Sequence, residues 1–155
     1  MPGKADFDAE EWSQVLAGPP AAGLRVAMAE RGGALRESLA IGRAYAEARQ
    51  EHGESELLDS IVAEQPVVNP AEFKGEADVP QALMQKLTRG VEILEAKGSD
   101  DDVNAYKQFI VDLAQRVASA KKEGGVLGIG GKEISDAEQV ALEEIASTLD
   151  VRPSA

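Results

Sequence analysis

Residues 124 to 132 read Gly-Gly-Val-Leu-Gly-Ile-Gly-Gly-Lys, and this break between two helical stretches limits what the chain can build. Five glycines in eight residues, interleaved with Val126, Leu127 and Ile129, describe a connection that bends sharply while offering apolar side chains something to pack on. A plain flexible linker would be polar instead. Before the break, Tyr106, Phe109, Ile110, Leu113 and Val117 recur at helical spacing, with Lys121 and Lys122 in the last turn. After it, Ser135 with Glu138 three residues on reads as a capping box, followed by Ala137, Val140, Ala141, Ile145 and Leu149 on one face. The unit is a helix hairpin. Its core must come from Ala, Leu, Val and Ile, because hydrophobic residues make up 43 % of the chain and aromatics only 4 %, which suits close-packed helices better than sheets. The expected fold class is all-α, a compact bundle of about six to seven helices.

The 155 residues fit a single helical domain spanning 1–155. Its expected regions are a first helical hairpin over 5–51, central helices over 55–98, and a second hairpin over 99–150 with the glycine-rich turn at 124–132. Asp8 with Glu11 forms a capping box, and Phe7 with Trp12 is placed as a hydrophobic staple. That first helix is expected to end at Gly18, since Pro19 and Pro20 disfavour helical geometry before them. A short, largely buried helix then covers Ala21 to Glu30, and Gly32-Gly33 ends it. From Ala34 to Glu51 the stripe is Leu35, Leu39, Gly42 and Ala46, with Arg36, Arg43, Glu47 and Gln50 facing water. Gly42 costs roughly 1 kcal/mol against Ala inside a helix, so it is expected to admit a neighbouring helix.

In the middle, Ser55 caps a helix bearing Leu58, Ile61 and Val62, and Asn69-Pro70 opens a turn of helix around Ala71 to Phe73. Pro80 then begins a helix with Leu83, Met84, Leu87, Val91 and Leu94 in one stripe, ending near Gly98. Ser99 caps the next, with Asp100, Asp101 and Asp102 at the positive end of the helix dipole.

Sixteen basic against 28 acidic residues give a net charge of −12, a surface that repels phosphate backbones and anionic lipid headgroups. Nucleic acid is not an expected partner. No apolar run approaches the ~18 residues of a membrane span, and Met1-Pro2-Gly3-Lys4 leads into acids instead of an apolar signal segment, so a cytoplasmic protein is expected. The absence of cysteine removes thiolate nucleophiles and sulfur metal sites.

Nucleotide and metal motifs fail one by one. Counting back from Gly131-Lys132, a P-loop would need glycine at Val126 and Ser or Thr at Glu133, and Gly128-Ile129-Gly130 lacks the third glycine of a dinucleotide turn. Asp100, Asp102 and Asn104 imitate a calcium loop, but Ala105 replaces its glycine and Val111 its glutamate. His52, the one histidine, sits at a helix end and cannot supply the two Glu-x-x-His pairs of a di-iron bundle. No catalytic constellation is present, and no enzyme is expected.

Two places in the chain look alike. Arg25-Val26-Ala27 before Gly32-Gly33 matches Arg116-Val117-Ala118 before Gly124-Gly125, and Glu37-Ser38-Leu39-Ala40 then stands against Glu138-Gln139-Val140-Ala141. Chance recurrence of alanine-rich helices and an ancient hairpin duplication about a pseudo-twofold axis both explain this.

The segment Ala120 to Glu138, a helix ending in alanine, a glycine turn, then Gly131-Lys132-Glu133-Ile134-Ser135, resembles the turn of the tellurite-resistance TerB-like helical domains. The resemblance covers the two hairpins and not the middle, and the chain is also similar to small bacterial helical proteins. It implies paired helix hairpins, a stress-related context, and weak binding of calcium or magnesium through turn carboxylates, which here would be Glu30, Glu37, Glu133 and Glu138. Gly130 stands where that family has aspartate, which weakens the metal implication more than the fold. The favoured expectation needs no cofactor: an acidic, non-enzymatic interaction or scaffold domain whose inter-hairpin groove, or whose loop residues Val126, Leu127 and Ile129, receives a protein partner. The sequence does not specify an oligomeric state.

Overall fold

The computed structural model describes residues 7–27, 34–50, 56–64, 79–123 and 136–149. Within them lie six helices: α1 (Ala9–Ala27), α2 (Ala34–Gln50), α3 (Glu56–Ala63), α4 (Val79–Lys97), α5 (Asp100–Glu123) and α6 (Asp136–Leu149). No strand occurs among the described residues. The fold is all-α, and none of these helices is long and apolar enough to cross a membrane.

Local sequence sets both best-defined starts. Asp8 Oδ1 accepts the Glu11 backbone N–H at 2.7 Å while Glu11 Oε1 accepts the Asp8 N–H at 3.1 Å, a reciprocal capping box. Phe7 and Trp12 close over that turn with ring centroids 5.7 Å apart. At α5, Ser99 Oγ accepts the Asp102 N–H at 3.1 Å and donates to Asp102 Oδ2 at 2.9 Å, so Asp102 is a buried capping partner as well as a dipole charge.

The expected end of the first helix at Gly18 is overturned, since α1 runs through Pro19 and Pro20 to Ala27 and absorbs the separate helix expected from Ala21. A proline at 19 deprives the Val15 carbonyl of its backbone donor, which ordinarily breaks or kinks a helix at a cost of ~3 kcal/mol or more. Here the Tyr106 hydroxyl, on α5 and fully buried, donates to that carbonyl at 2.7 Å. A tertiary contact replaces a missing rung of the helix.

The same hydroxyl explains where helices approach most closely. Helix α4 runs antiparallel to α1: Lys97 near its end reaches Glu11 at 2.5 Å, and Gly90 lies against the backbone of Gln14 and Val15. A Cβ at Gly90 would stand 2.8 Å from the Tyr106 hydroxyl and 3.0 Å from the Gln14 carbonyl oxygen, and one at Gly18 would overlap the hydroxyl outright. Glycine at both positions clears the space that Tyr106 occupies.

On the other side of α5 lies α2, where Tyr45 meets Phe109 edge-on at 5.2 Å between ring centroids. Arg49 Nε, near the end of α2, donates to the Val62 carbonyl at 2.5 Å and holds α3 in place. Helix α6 packs on α5 and α1, and one hydrophobic core runs through all six helices.

Two predicted stripes are shifted. In α2, Gly42 and Ala46 are exposed and nothing lies within 4 Å of a Cβ at Gly42; Ile41, Ala44 and Tyr45 are the buried positions. The close approach expected at Gly42 occurs instead at Gly23, whose built Cβ would meet Ile41 Cδ1 at 2.7 Å and Leu113 Cδ2 at 3.0 Å. In α6, Val140 points outward at 58 % exposure, and the inner face is Glu138, Ala141, Leu142, Ile145 and Leu149. In both helices the buried face carries bulky apolar side chains: Ile41 with Tyr45, and Leu142 with Ile145. Leu35 and Leu39, the other members of the α2 stripe, have side chains outside the description.

Candidate functional site

Of the seven residues that the sequence nominates, the structure places one side chain. Val126, Leu127, Ile129, Glu30 and Glu133 lie outside the described residues, as do His52, the cap Ser135 and the turn expected at Asn69 to Phe73; Glu37 belongs to α2, but its side chain is not described. Glu138 sits in the first turn of α6 and is buried, with 1 % exposure. Among the described residues no three His, Asp or Glu side chains are grouped to hold a metal ion. Glu143 and Glu144 are exposed, and Glu144 takes the Arg25 guanidinium at 3.1 Å. The acids Asp100 to Asp102 are explained by the cap on α5.

The interior polar groups are engaged in joining helices. Trp12 Nε1 donates to Glu64 Oε2 at 2.5 Å, tying α1 to the end of α3. Burial drives the pKa of Tyr106 well above the ordinary tyrosine value, and burial foremost, opposed by the charge of Arg49, raises that of Tyr45. Both hydroxyls are protonated at neutral pH, and that of Tyr106 is a donor with an assigned acceptor. Arg25 pairs through Nη2 with Glu144 while its Nε is buried with no hydrogen-bond partner. This arginine has a counterpart: Arg116 of α5 pairs with Glu47 of α2. Each arginine thus crosses from the first helix of one hairpin to the second helix of the other.

The outer face of α6 carries Val140 beside two carboxylates, of which Glu144 takes Arg25 and Glu143 accepts from Gln139 at 3.5 Å. Val140 is the exposed large hydrophobic residue among those described, with Gln139 beside it and Glu143 and Glu144 one turn further on. An apolar side chain followed along the helix by two carboxylates can receive the apolar face of a segment whose flank carries lysine or arginine. In the chain this face directly follows the glycine-rich break. Sequence periodicity assigned Val140 to the core; the signal that separates the two faces is Leu142, which together with Ala141 and Ile145 makes a better inner stripe.

No family model, curated protein or solved structure matches the chain.

Proposed function

We propose that this protein is a non-enzymatic, acidic helical interaction domain that receives a basic, amphipathic protein segment on the outer face of its second hairpin. The observation that supports the reading is Val140, exposed at 58 % on a helix whose neighbouring surface positions are Gln139, Glu143 and Glu144. A net charge of −12 draws basic segments to the surface and disfavours nucleic acid and anionic membranes as partners. The buried polar groups support a binding role over catalysis, because Trp12, Tyr106 and Asp102 are engaged in structural hydrogen bonds within the chain.

The test compares crosslinked partners retained by the wild type and by Val140→Asp, with Leu127→Asp as a second probe of the same hairpin. An exposed substitution in α6 leaves the melting midpoint nearly unchanged, so a partner lost from Val140→Asp at unaltered stability supports the assignment. Identical partner sets on wild type and both variants would remove it.

A further inference from the structure

We propose that Glu143, and not Glu144, is the carboxylate that reads the charge of the docked segment. On this assignment α6 selects a helical segment with an apolar side chain for Val140 and, one turn away, a lysine or arginine for Glu143. The inference rests on the reading of the outer face of α6 as a docking surface. The two carboxylates flank Val140: at ~100° per residue, Glu143 lies about 60° to one side of it and Glu144 about 40° to the other. They differ in what already holds them. Glu144 accepts from Arg25 Nη2 at 3.1 Å, and the Arg25 side chain is 14 % exposed. Arg25 Nε is already buried with no hydrogen-bond partner, so a ligand cation that took Glu144 would strip a largely buried guanidinium of its counter-charge. Glu143 meets no cation among the described residues; its contact there is the neutral Gln139 amide at 3.5 Å, too long for a strong hydrogen bond. An incoming lysine or arginine gains a full carboxylate at Glu143 and displaces little. The uncompensated charge thus lies on the strip Val140, Glu143 and Ser147, all exposed, on the side of Val140 away from the Arg25 contact. A helix laid along that strip, with apolar and basic side chains at i and i+4, meets both points at once, and the net charge of −12 favours its approach.

The probe is a fluorescein-labelled helical peptide of leucine, lysine and alanine, with leucine and lysine four residues apart, titrated with the full chain and followed by anisotropy. Glu143→Gln and Glu144→Gln each remove one charge, so a difference between them is local. Glu143→Gln is expected to weaken binding about threefold, the range of one exposed ion pair, and to flatten its salt dependence, while Glu144→Gln changes it much less. Glu143→Lys is expected to reject the lysine peptide and to bind the same peptide with glutamate for lysine more tightly than the wild type does. Equal losses in the two glutamine variants, or no gain in the charge swap, would overturn the assignment of Glu143; the docking face itself survives that result if Val140→Ser still removes binding. No binding of the lysine peptide, or binding that Val140→Ser leaves unchanged, would overturn the face and Glu143 with it. Val140 and Glu143 are exposed, so their variants are expected to melt with the wild type. If Glu144→Gln does not fold, the charge swap at Glu143 decides alone.

Discussion

Gly18→Ala should destabilise the wild type and become nearly neutral once Tyr106 is phenylalanine. Alanine is ordinarily favoured over glycine in a helix interior by ~1 kcal/mol, but directly before Pro19 its Cβ meets the proline ring, which offsets that gain. At position 18 the added methyl falls on the Tyr106 hydroxyl, which is fully buried and committed to the Val15 carbonyl at 2.7 Å. The methyl either overpacks against the hydroxyl or displaces it and leaves a buried carbonyl unpaired, at about 1–3 kcal/mol in either case. The net loss is about 2 kcal/mol, or a fall of roughly 4–8 °C in Tm for a chain of this size. Tyr106→Phe by itself costs about 1–3 kcal/mol through the orphaned carbonyl. With the hydroxyl gone, the nearest atoms to a Cβ at 18 are ring Cζ at 3.2 Å and Cε1 at 3.8 Å, which a shift of a few tenths of an ångström relieves. The clash is then relieved, and a double-mutant cycle in urea, followed by helix ellipticity, should give a coupling of about 2 kcal/mol. Gly90 is the control. Its built Cβ also meets the Gln14 carbonyl oxygen at 3.0 Å and Val15 Cα at 3.6 Å, which are backbone, so Gly90→Ala should stay destabilising in the Tyr106→Phe background. Equal cost of Gly18→Ala in both backgrounds, or equal rescue of both glycines, would refute the reasoning.

Alkaline unfolding is expected to be tied to the two tyrosines: burial raises both hydroxyl pKa values above 10.0, so their stabilising contribution is complete below pH 10 and lost as pH rises beyond it. Tyrosinate absorbance should rise only together with the loss of helicity; a rise of either tyrosine while the helices persist would contradict the buried assignment. At the acid end, Glu11 is held below its ordinary 4.5 chiefly by the hydrogen bond from Lys97, so its contribution is complete above about pH 4.5 and disappears as pH falls through the lower folded value. Wild type should exceed Glu11→Gln in stability at neutral pH and match it in strong acid; a constant gap would be the wrong outcome. Of the two crossing ion pairs, Arg116 to Glu47 has both side chains about half exposed and should couple by only ~0.2–1 kcal/mol, whereas Arg25, with 14 % of its side chain exposed, should couple more strongly to Glu144 and resist added salt. Double-mutant cycles at low and high salt measure both, and equal couplings would show that the burial of Arg25 has no energetic effect. Millimolar magnesium, calcium, manganese and zinc should raise the melting midpoint by small and similar amounts through screening; a rise for one cation that survives monovalent salt and is lost in Glu133→Ala would replace the interaction reading with a cation sensor.

The parts of the fold that were readable are those written in short-range chemistry. Asp8 with Glu11, Ser99 with its aspartates, and the stripe Leu83, Met84, Leu87, Val91 and Leu94 each need only residues within a turn or two, and all appear where expected. What could not be read depends on distant partners. Pro19-Pro20 is a stop signal by every local rule, and it fails because a donor arrives from α5. Gly42 and Gly23 are indistinguishable until it is known which one faces a neighbouring helix, and it is Gly23, against Ile41 of α2 and Leu113 of α5. Val140 was misplaced because α6 offers two apolar stripes, and the choice between them is made by the area available on α5 and α1. The nominated turn carboxylates and loop aliphatics show the same limit, since residue type and spacing cannot state which faces meet.

One distance along the chain joins these observations. Tyr106 and Val15 are 91 residues apart, and the same spacing carries Asp8 onto Ser99, Glu11 onto Asp102 and Arg25 onto Arg116. In that register α1 and α5 share their caps and their buried positions, Trp12 with Val103, Ala22 with Leu113 and Val26 with Val117. Equivalent positions meet each other where a twofold axis passes, and Val15 with Tyr106 is such a meeting. The crossing pairs Arg25 to Glu144 and Arg116 to Glu47 stand to either side of it, each linking one hairpin to the other. The spacing of 91 relates α1 to α5 alone, since the likeness of Glu37 to Glu138 in the second helices runs at a spacing of 101, so chance recurrence of alanine-rich helices and duplication both still explain the likeness. What the structure adds is the contact itself: the tyrosine at the matching place on α5 supplies the donor that Pro19 removes from α1.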